Sequence, residues 1–303
     1  MCGIVAVTGY RQAVPLLISG LEKLEYRGYD SSGIAIISSE KNDLVCNKSA
    51  GKLKNLVSKV GNEEISGTVG IGHTRWATHG KPIVKNAHPH LDATGNVAVV
   101  QNGIIENFLD LKTKLENEGI IFQSDTDTEV IPNLIQRELN NLSKLNLENN
   151  GSTLLIAVRN VLSDLEGAYA LAVLWSGAPD SLVVARRQAP LIIGLGEGEF
   201  VCASDTPAIA NFTKTILPME DEEIGLLTPL GIELYNSNNE RQYRNPTSLK
   251  TSEEVVDKKH FKHYMHKEIY DQPGIAKNWI KNYLVKNDND DQFRIKYDFD
   301  TKF

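Results

Sequence analysis

The chain has few of the features that mark secreted, membrane-spanning or nucleic-acid-binding proteins. Three of its 303 residues are cysteine, namely Cys2, Cys46 and Cys202. They make no disulfide framework, which favours a reducing, cytoplasmic compartment. The longest apolar runs fall well short of the roughly 18 residues of a membrane span, and no basic segment of a signal peptide is visible. Acidic residues outnumber basic ones by 39 to 32, so neither nucleic acid nor an anionic membrane is an expected partner.

What the chain does contain is an ordinary globular composition, with 41% hydrophobic and 23% charged residues and enough length for a large core. Strand and helix patterns alternate densely along it. The patterns predict strands over 3–9, 33–39, 44–49, 67–74 and 96–103 and again between 168 and 237, and helices over 12–28, 107–118, 127–139 and 153–165, with a polar surface loop over 140–152. Strands on both sides of helical stretches predict two sheets sandwiched between helix layers, an α+β fold without the regular βαβ repeat of a Rossmann domain.

The chain divides into a folded domain and a C-terminal region. The predicted strands end near residue 236, and residues 237–259 are polar, charged and without periodicity, which predicts a linker. A helix is predicted over 260–285, with a break at the step Gln272-Pro273-Gly274. The acidic tail that follows is too short to be a domain of its own.

Two further motifs are better explained without a metal or a cofactor. His260, His263 and His266 have the spacing HxxHxxH, but positions i and i+6 diverge by about 120° around a helix, so we expect a solvated or docking helix. The segment IGLGEG (193–198) imitates a dinucleotide loop, yet Glu199 occupies the third glycine position. We therefore expect neither a metal site nor a bound cofactor.

The cysteine at position 2 stands directly ahead of the first strand-like run, GIVAVTG (3–9). An unpaired cysteine most often serves as a small buried hydrophobe. Removal of Met1, which a small second residue favours, would instead leave a thiol and a free α-amine on one residue. Because such an amine has a pKa of roughly 7.7–8.0, it could act as the general base for the thiol beside it. Position alone leaves both alternatives open.

Three polar clusters suggest chemistry as well as structure. HTRWATHGKP (73–82) is either a solvated loop with a tryptophan at the core edge or an active-site loop, in which Arg75 offers a planar fork for a carboxylate and Trp76 covers a ligand. In QNGIIEN (101–107), Asn-Gly is either a tight turn or a pair of donors for an oxyanion. In SDTDTEV (124–130), an aspartate either caps the next helix or holds a substrate ammonium.

These motifs occur together in one known family. In order along the chain stand MCGIVAV, LEYRGYDSSG, GIGHTRWATHG, NAHPH, QNGIIEN, SDTDTEV, GAYALAVL with APLIIGLG, and HYMHKEIYDQP. The chain thereby resembles the glutaminase half of glutamine–fructose-6-phosphate aminotransferase, a class II glutamine amidotransferase, from Cys2 to about Tyr235 and again from about Phe261 to Pro273. The resemblance implies a glutaminase domain over residues 2–236 with the four-layer αββα sandwich of N-terminal-nucleophile hydrolases.

The resemblance also assigns roles to matching residues. Cys2 corresponds to the nucleophile that converts the glutamine side-chain amide to a γ-glutamyl thioester and ammonia, while Asn102 and Gly103 correspond to its oxyanion hole. Arg75 matches the residue that binds the α-carboxylate of glutamine, and Asp127 the one that binds the α-amine. Arg27 corresponds to a residue that orders the site. The loop that closes over glutamine is matched by Trp76, Thr78 and His79.

The chain also departs from this family. Gln101 stands where the family usually has histidine, for which we expect a mild effect. His88, in NAHPH, matches a residue near the family's domain interface. About thirty residues follow Pro273, whereas the family continues into two sugar-isomerase domains. Residues 260–303 therefore correspond to a helical connector and an acidic tail, the truncated start of the isomerase half.

Several functions stay open at this point. The leading expectation is hydrolysis of L-glutamine to supply ammonia for conversion of fructose 6-phosphate to glucosamine 6-phosphate. The chain would act as a truncated gene product, as half of a split enzyme with a separate sugar-isomerase chain or a homodimer partner, or as a stand-alone glutaminase. A non-catalytic remnant or binding module is the alternative from another class. The amidotransferase half of a purine-type enzyme is a lesser alternative, since HTRWATHG and EYRGYDS fit the sugar enzyme better.

Overall fold

The fold is that of a computed structural model, which describes residues 2–61, 63, 65–77, 80–249, 260–286 and 293–295. The chain forms two compact units, Met1–Ser252 and Glu253–Phe303. The strands of the first unit are β1 Gly3–Thr8, β2 Ser31–Ile37, β3 Leu44–Ala50, β4 Val69–Arg75, β5 His90–Leu91, β6 Val97–Gly103, β7 Tyr169–Trp175, β8 Leu182–Arg187, β9 Ile192–Leu195, β10 Phe200–Ala203, β11 Thr215–Pro218, β12 Ile224–Thr228, β13 Gly231–Tyr235, β14 Arg241–Gln242 and β15 Thr247–Ser248. Its helices are α1 Ala13–Leu24, α2 Leu53–Val60, α3 Phe108–Asn117, α4 Val130–Lys144, α5 Gly151–Leu162 and α6 Pro207–Ala210.

Two antiparallel sheets form the middle of this unit. The strand order is β15-β11-β9-β10-β1-β4-β2-β3 in the first sheet and β14-β13-β12-β8-β7-β6-β5 in the second. The first strand of the chain is central in its sheet, because β1 pairs with β10 on one side and β4 on the other. Cys2 therefore enters the fold at the end of a central strand rather than at a frayed edge.

Alternation along the strands gives each sheet two buried faces. In β1, Val5 packs against the layer that contains α1, α2 and α6, whereas Ile4 points to the second sheet. In β6, Val99 packs against α3, α4 and α5, whereas Val100 points to the first sheet. Successive side chains of a strand point to opposite faces, so these residues build a helix, sheet, sheet, helix stack. The predicted αββα sandwich is confirmed.

The main differences from the sequence prediction lie in polar segments. Residues 140–152 carry the end of α4 and the start of α5, with Leu142 buried in the core. Part of the predicted linker is also sheet, because β14 pairs with β13 and β15 pairs with β11. The Leu249 N–H further donates to the Lys214 carbonyl at 2.7 Å. Such short edge strands are held by backbone hydrogen bonds, so their side chains need no hydrophobic alternation.

The second unit contains a helix and a small hairpin. α7 runs from Tyr264 to Tyr283, and β16 (Leu284–Lys286) pairs with β17 (Phe293–Ile295). The predicted break near Pro273 is wrong, because the helix continues through it. A proline removes one helical hydrogen bond. The helical turns before and after Pro273 are both formed, so the helix is continuous through this residue. Among the helices of the described residues, none has the length and apolar character needed to cross a membrane.

Candidate active site

Cys2 lies where the N-terminal end of β1 meets the C-terminal ends of β4 and β6. Its Sγ accepts a hydrogen bond from the Trp76 N–H at 3.3 Å and lies 3.6 Å from the Trp76 carbonyl oxygen. Its own carbonyl accepts two side-chain hydrogen bonds, from Arg27 Nε at 3.1 Å and from Asn102 Nδ2 at 3.1 Å. These contacts fix the backbone of Cys2 on both sides and leave its thiol beside the loop after β4.

Arg27 is held by a chain of contacts that begins in another part of the fold. Its Nη1 pairs with Asp205 Oδ2 at 2.7 Å, and the Tyr26 hydroxyl donates to the same oxygen at 2.6 Å. The next residue, Gly28, packs against the backbone of Arg75, where an added Cβ would lie 2.6 Å from the carbonyl carbon. Only glycine fits this close approach. The EYRG segment thus joins the backbone carbonyl of Cys2 to the end of β4.

Asn102 and Gly103 are the last two residues of β6 and pair with Ala170 and Tyr169 of β7. The Asn-Gly pair is therefore a strand end and not a tight turn. Gly103 has φ +117, and an added Cβ would lie 2.0 Å from the Ala168 carbonyl oxygen. A side chain at this position would be strained and would clash, so the strand end beside Cys2 requires glycine.

Arg75 and Asp127 bring opposite charges to one pocket. Arg75 is 4% exposed and Asp127 is 6% exposed. Asp127 Oδ2 accepts from the Ile105 N–H at 2.8 Å, and the residue at the start of α4 is Glu129 instead. Asp127 is therefore not a helix cap. Burial of both charges strengthens their interaction with a ligand of complementary charge, since little water screens them.

These residues line a small pocket that is partly open to solvent. Its walls come from both sheets and from the loop before α4. The lining residues are Cys2, Arg75, Trp76, His88, Gln101, Gly103, Thr126, Asp127 and Thr128.

Trp76 follows Arg75 at the mouth of this pocket. Its ring meets Tyr29 edge-on, with 5.3 Å between ring centroids, and the N–H of the next residue, Ala77, donates to Asp30 Oδ2. The RGYD segment therefore anchors the beginning of the loop. Thr78 and His79 lie outside the described residues, so their place on a closing loop stays a prediction.

Comparison with known proteins identifies the domain to which this pocket belongs. Residues 73–211 match the family model of the glutamine amidotransferase domain. The chain carries a glutamine amidotransferase domain. The matched span includes Arg75, Asn102, Gly103 and Asp127 and begins after Cys2.

Curated relatives extend the similarity over nearly the whole chain. The glutamine–fructose-6-phosphate aminotransferase [isomerizing] of Thermosynechococcus vestitus is 52% identical over 284 residues, which cover 94% of this chain and 44% of the relative. The protein of the same name from Aquifex aeolicus is 44% identical, with 95% and 46% covered. The resemblance to the glutaminase half of that enzyme is confirmed. The chain spans less than half the length of these curated relatives.

Solved structures give the same fold. The glutamine phosphoribosylpyrophosphate amidotransferase from B. subtilis, complexed with ADP and GMP, has a TM-score of 0.64 at 29% identity, covering 80% of this chain and 50% of that one. A structure described as the allosteric regulatory enzyme of purine biosynthesis has a TM-score of 0.65 at 30% identity, with the same coverage. Both support the N-terminal-nucleophile type of sandwich. Their identity is lower than that of the aminotransferases above.

The amidotransferase domain keeps its cysteine protonated at neutral pH. Burial raises the pKa of the Cys2 thiol, and the Trp76 N–H and Arg75 lower it by less. Because the thiolate is the reactive form, a base must take the proton when the thiol attacks. This property distinguishes Cys2 from a cysteine that is activated by surrounding charge alone.

Sequence analysis missed a group of histidines behind the pocket. The rings of His73 and His88 stack with centroids 4.2 Å apart, and His88 meets His90 edge-on at 4.7 Å. All three side chains are buried. His88 lies in the wall of the pocket, and its place near a domain interface stays a prediction. The signal was present in β4, where Ile71, His73 and Arg75 alternate and so share the face that points to the second sheet.

We expect these histidines to make the domain sensitive to acid. Burial lowers the pKa of His73 to about 3 and the pKa values of His88 and His90 well below the ordinary 6.5. Below about pH 6.5 the unfolded chain therefore binds protons that the folded chain does not. Each histidine then lowers the free energy of unfolding by about 1.4 kcal/mol per pH unit until its folded pKa is reached.

Urea unfolding at several values between pH 7 and pH 4.5 measures this dependence. His90→Gln should reduce the slope of the unfolding free energy against pH by the equivalent of about one proton. His266→Gln, at an exposed position of α7, should leave this slope unchanged. Equal slopes for wild type and His90→Gln would contradict the expectation.

Proposed function

We propose that this domain hydrolyses the side-chain amide of glutamine through a thioester on Cys2. The observation that carries the proposal is the meeting of a thiol, a side-chain amide donor and two buried, opposite charges at one pocket. The aminotransferase relatives, which contain glutamine in their names, agree with it. A binding module would need the charges but not the thiol and the donors.

Recognition in this proposal rests on Arg75 and Asp127. Free glutamine carries an α-carboxylate and an α-ammonium, and the two buried side chains offer one cation and one anion for them. The planar guanidinium of Arg75 can bind a carboxylate through two parallel hydrogen bonds. Pairing at both charges orients the amino acid so that its side-chain amide reaches Cys2.

The reaction then proceeds by nucleophilic acyl transfer. Sγ of Cys2 attacks the amide carbon of glutamine while its proton passes to a base, and the carbonyl oxygen becomes negative. Asn102 Nδ2 and the Gly103 N–H donate to that oxygen. The tetrahedral intermediate collapses with protonation and loss of ammonia, which leaves the γ-glutamyl thioester. Attack by water on the thioester gives glutamate and regenerates the thiol.

The base in this proposal is the α-amine of Cys2 once the residue before it is removed. An α-amine has a pKa of roughly 7.7–8.0, and in this position it is only a few bonds from the thiol. The raised pKa of the Cys2 thiol makes such a base necessary. Trp76, Thr78 and His79 serve in the proposal to cover the bound amino acid and exclude water.

We further propose that the ammonia serves the conversion of fructose 6-phosphate to glucosamine 6-phosphate. The support is the identity of 42–52% to proteins named glutamine–fructose-6-phosphate aminotransferase. The partner that receives the ammonia is a sugar-isomerase half, on a separate chain or in a homodimer.

Release of ammonia and glutamate from glutamine by the purified chain tests the proposal. We expect both products in equal amounts, and little reaction with asparagine, whose amide carbon is one methylene closer to the α-charges that Arg75 and Asp127 would hold. Measurements with and without fructose 6-phosphate show whether the sugar phosphate affects this half alone. Glutamine binding without any release of ammonia would leave a binding module and reject the hydrolase.

Changes at the two charged residues should weaken glutamine binding. Arg75→Lys keeps the charge but loses the two-pronged geometry, and Asp127→Asn removes the anion. Loss of a hydrogen bond to a charged group costs about 1.5–3 kcal/mol, which corresponds to a rise of roughly ten- to hundredfold in KM. Steady-state kinetics against Arg137→Lys, a surface ion-pair residue of α4, check this. Unchanged KM in both variants would show that the two residues bind something else.

A further inference from the structure

The amide of Asn102 serves as an oxyanion donor only in one of its two orientations. The oxygen and nitrogen of a side-chain amide are nearly equal in size, so a flip of the group exchanges a donor for an acceptor with little change in packing. In the structure, Nδ2 faces Cys2 and donates to its carbonyl at 3.1 Å. Oδ1 faces away from Cys2, toward His73. What holds the oxygen there decides which way the donor points.

His73 Nε2 lies 3.1 Å from Asn102 Oδ1. The oxygen of an amide can only accept, so this contact is a hydrogen bond when the hydrogen of the ring is on Nε2. His73 is 0% exposed, and burial lowers its pKa to about 3. The ring is therefore neutral at pH 7, with a hydrogen on only one of its two nitrogens. If Asn102 flipped, its NH2 group would face the Nε2–H of His73, and two donors would oppose each other.

The ring of His73 is itself fixed by its neighbours. It stacks on His88, with 14° between the ring planes. The Gln101 N–H donates to His88 Nδ1 at 3.2 Å, and His88 Nε2 lies 3.5 Å from Thr128 Oγ1, whose hydroxyl donates to Gln101 Oε1 at 2.8 Å. His88, Thr128 and Gln101 thus contact one another in a closed set, which fixes the His88 ring that stacks on His73. His73 is thus held flat against His88, with its Nε2 directed at Asn102.

We propose that His73 is a positioning residue that sets the amide orientation of Asn102 and so keeps a donor directed at the oxyanion. The proposal rests on the proposed function, because the orientation matters only if Asn102 stabilises an oxyanion. It assigns no contact with substrate to His73. Its effect belongs to the transition state, where the negative oxygen exists, and not to the binding of glutamine.

Two amide substitutions at position 73 separate this role from simple packing. The nitrogen of Gln is as many bonds from Cβ as Nε2 of histidine, whereas the nitrogen of Asn corresponds to Nδ1. We expect His73→Gln to keep kcat within a few-fold of wild type. His73→Asn should lower kcat by tenfold or more, up to the roughly 10²–10³-fold of losing an oxyanion donor, with KM unchanged. Ile71→Val, two residues earlier on the same buried face of β4, controls for loosened packing and should keep kcat.

A double-mutant cycle gives the second criterion. Once Asn102 is replaced by alanine, no amide is left to orient, so adding His73→Asn to Asn102→Ala should lower kcat no further. Losses that multiply would show that His73 acts elsewhere. Equal kcat for His73→Asn and wild type, in a wild-type chain that hydrolyses glutamine, would overturn the positioning role alone. Absence of hydrolysis by wild type would overturn the proposed function and this inference together.

A measurement on the wild-type chain covers the case in which His73→Asn does not fold. Nitrogen NMR of the chain with ¹⁵N-labelled histidine distinguishes the two neutral tautomers, and His73→Gln identifies the signal that belongs to position 73. We expect a neutral ring with its hydrogen on Nε2 at pH 7. A hydrogen on Nδ1 would overturn the inference whatever the activity, because Nε2 could then not donate to Asn102.

Discussion

Replacing Cys2 by alanine will remove glutamine hydrolysis and leave the fold intact. The thiol is the nucleophile in the proposed reaction, and no neighbouring side chain can form the thioester in its place. We expect kcat to fall by roughly 10⁴-fold or more, as for nucleophiles in other acyl-transfer enzymes. Ammonia release measures the loss, and circular dichroism with urea unfolding checks the fold. Cys46→Ala is the matched control, since Cys46 is half-buried in β3 and contacts the Pro89 carbonyl rather than the pocket.

Labelling gives an independent result for the same residue. A glutamine analogue with an electrophilic side chain should alkylate Cys2 and spare Cys46 and Cys202, because only Cys2 shares a pocket with Arg75 and Asp127. Mass spectrometry of the intact chain also tests the base. Active protein that retains Met1 would defeat the assignment of the Cys2 α-amine, and labelling of Cys46 instead would defeat the assignment of the nucleophile.

Asn102→Ala is expected to have the second largest effect, a fall in kcat of about 10²–10³-fold with little change in KM. In the proposed reaction Asn102 donates to an oxygen that is not yet negative in bound glutamine, so loss of this donor slows the chemistry more than it weakens binding. Steady-state kinetics with glutamine separate the two constants.

A nearby asparagine provides the control for this variant. Asn107 follows in the same motif, and its Nδ2 donates to the Asp164 carbonyl at 2.8 Å, away from the pocket. Asn107→Ala should keep both kinetic constants. If Asn102→Ala raised KM and left kcat unchanged, Asn102 would be a residue that binds glutamine in the ground state.

The layered core could be predicted from the sequence because its signal is local. Alternating apolar residues in β1 and β6 and helical spacing in α1 and α4 each follow from burial of one face. The edge strands β14 and β15 gave no such signal, since their pairing is between backbone groups. Pro273 misled for a related reason, because a proline disfavours a helix locally but does not decide whether neighbouring turns continue it.

The candidate site divides in the same way. Short motifs that can be recognised in the sequence contain Cys2, Arg75 and the Asn-Gly pair. The structure brings these residues to one pocket. The contact between His73 and Asn102 has no local signal, because it joins β4 of one sheet to β6 of the other. Which histidine faces Asn102 depends on how the two sheets are stacked. That stacking is a property of the whole core and not of any motif.

The central position of β1 also has a consequence for the newborn chain. β1 is made first, yet its neighbour β10 ends at Ala203, and the Arg27 side chain that binds the Cys2 carbonyl pairs with Asp205. A ribosome that adds about 5–20 residues per second needs roughly 10–40 s to travel from the first of these segments to the last. During that time β1 lacks the strand that pairs with it on one side. Cys2 therefore gains its full surroundings only when most of the domain has been synthesised, and we expect nascent chains shorter than about residue 205 to be inert toward glutamine.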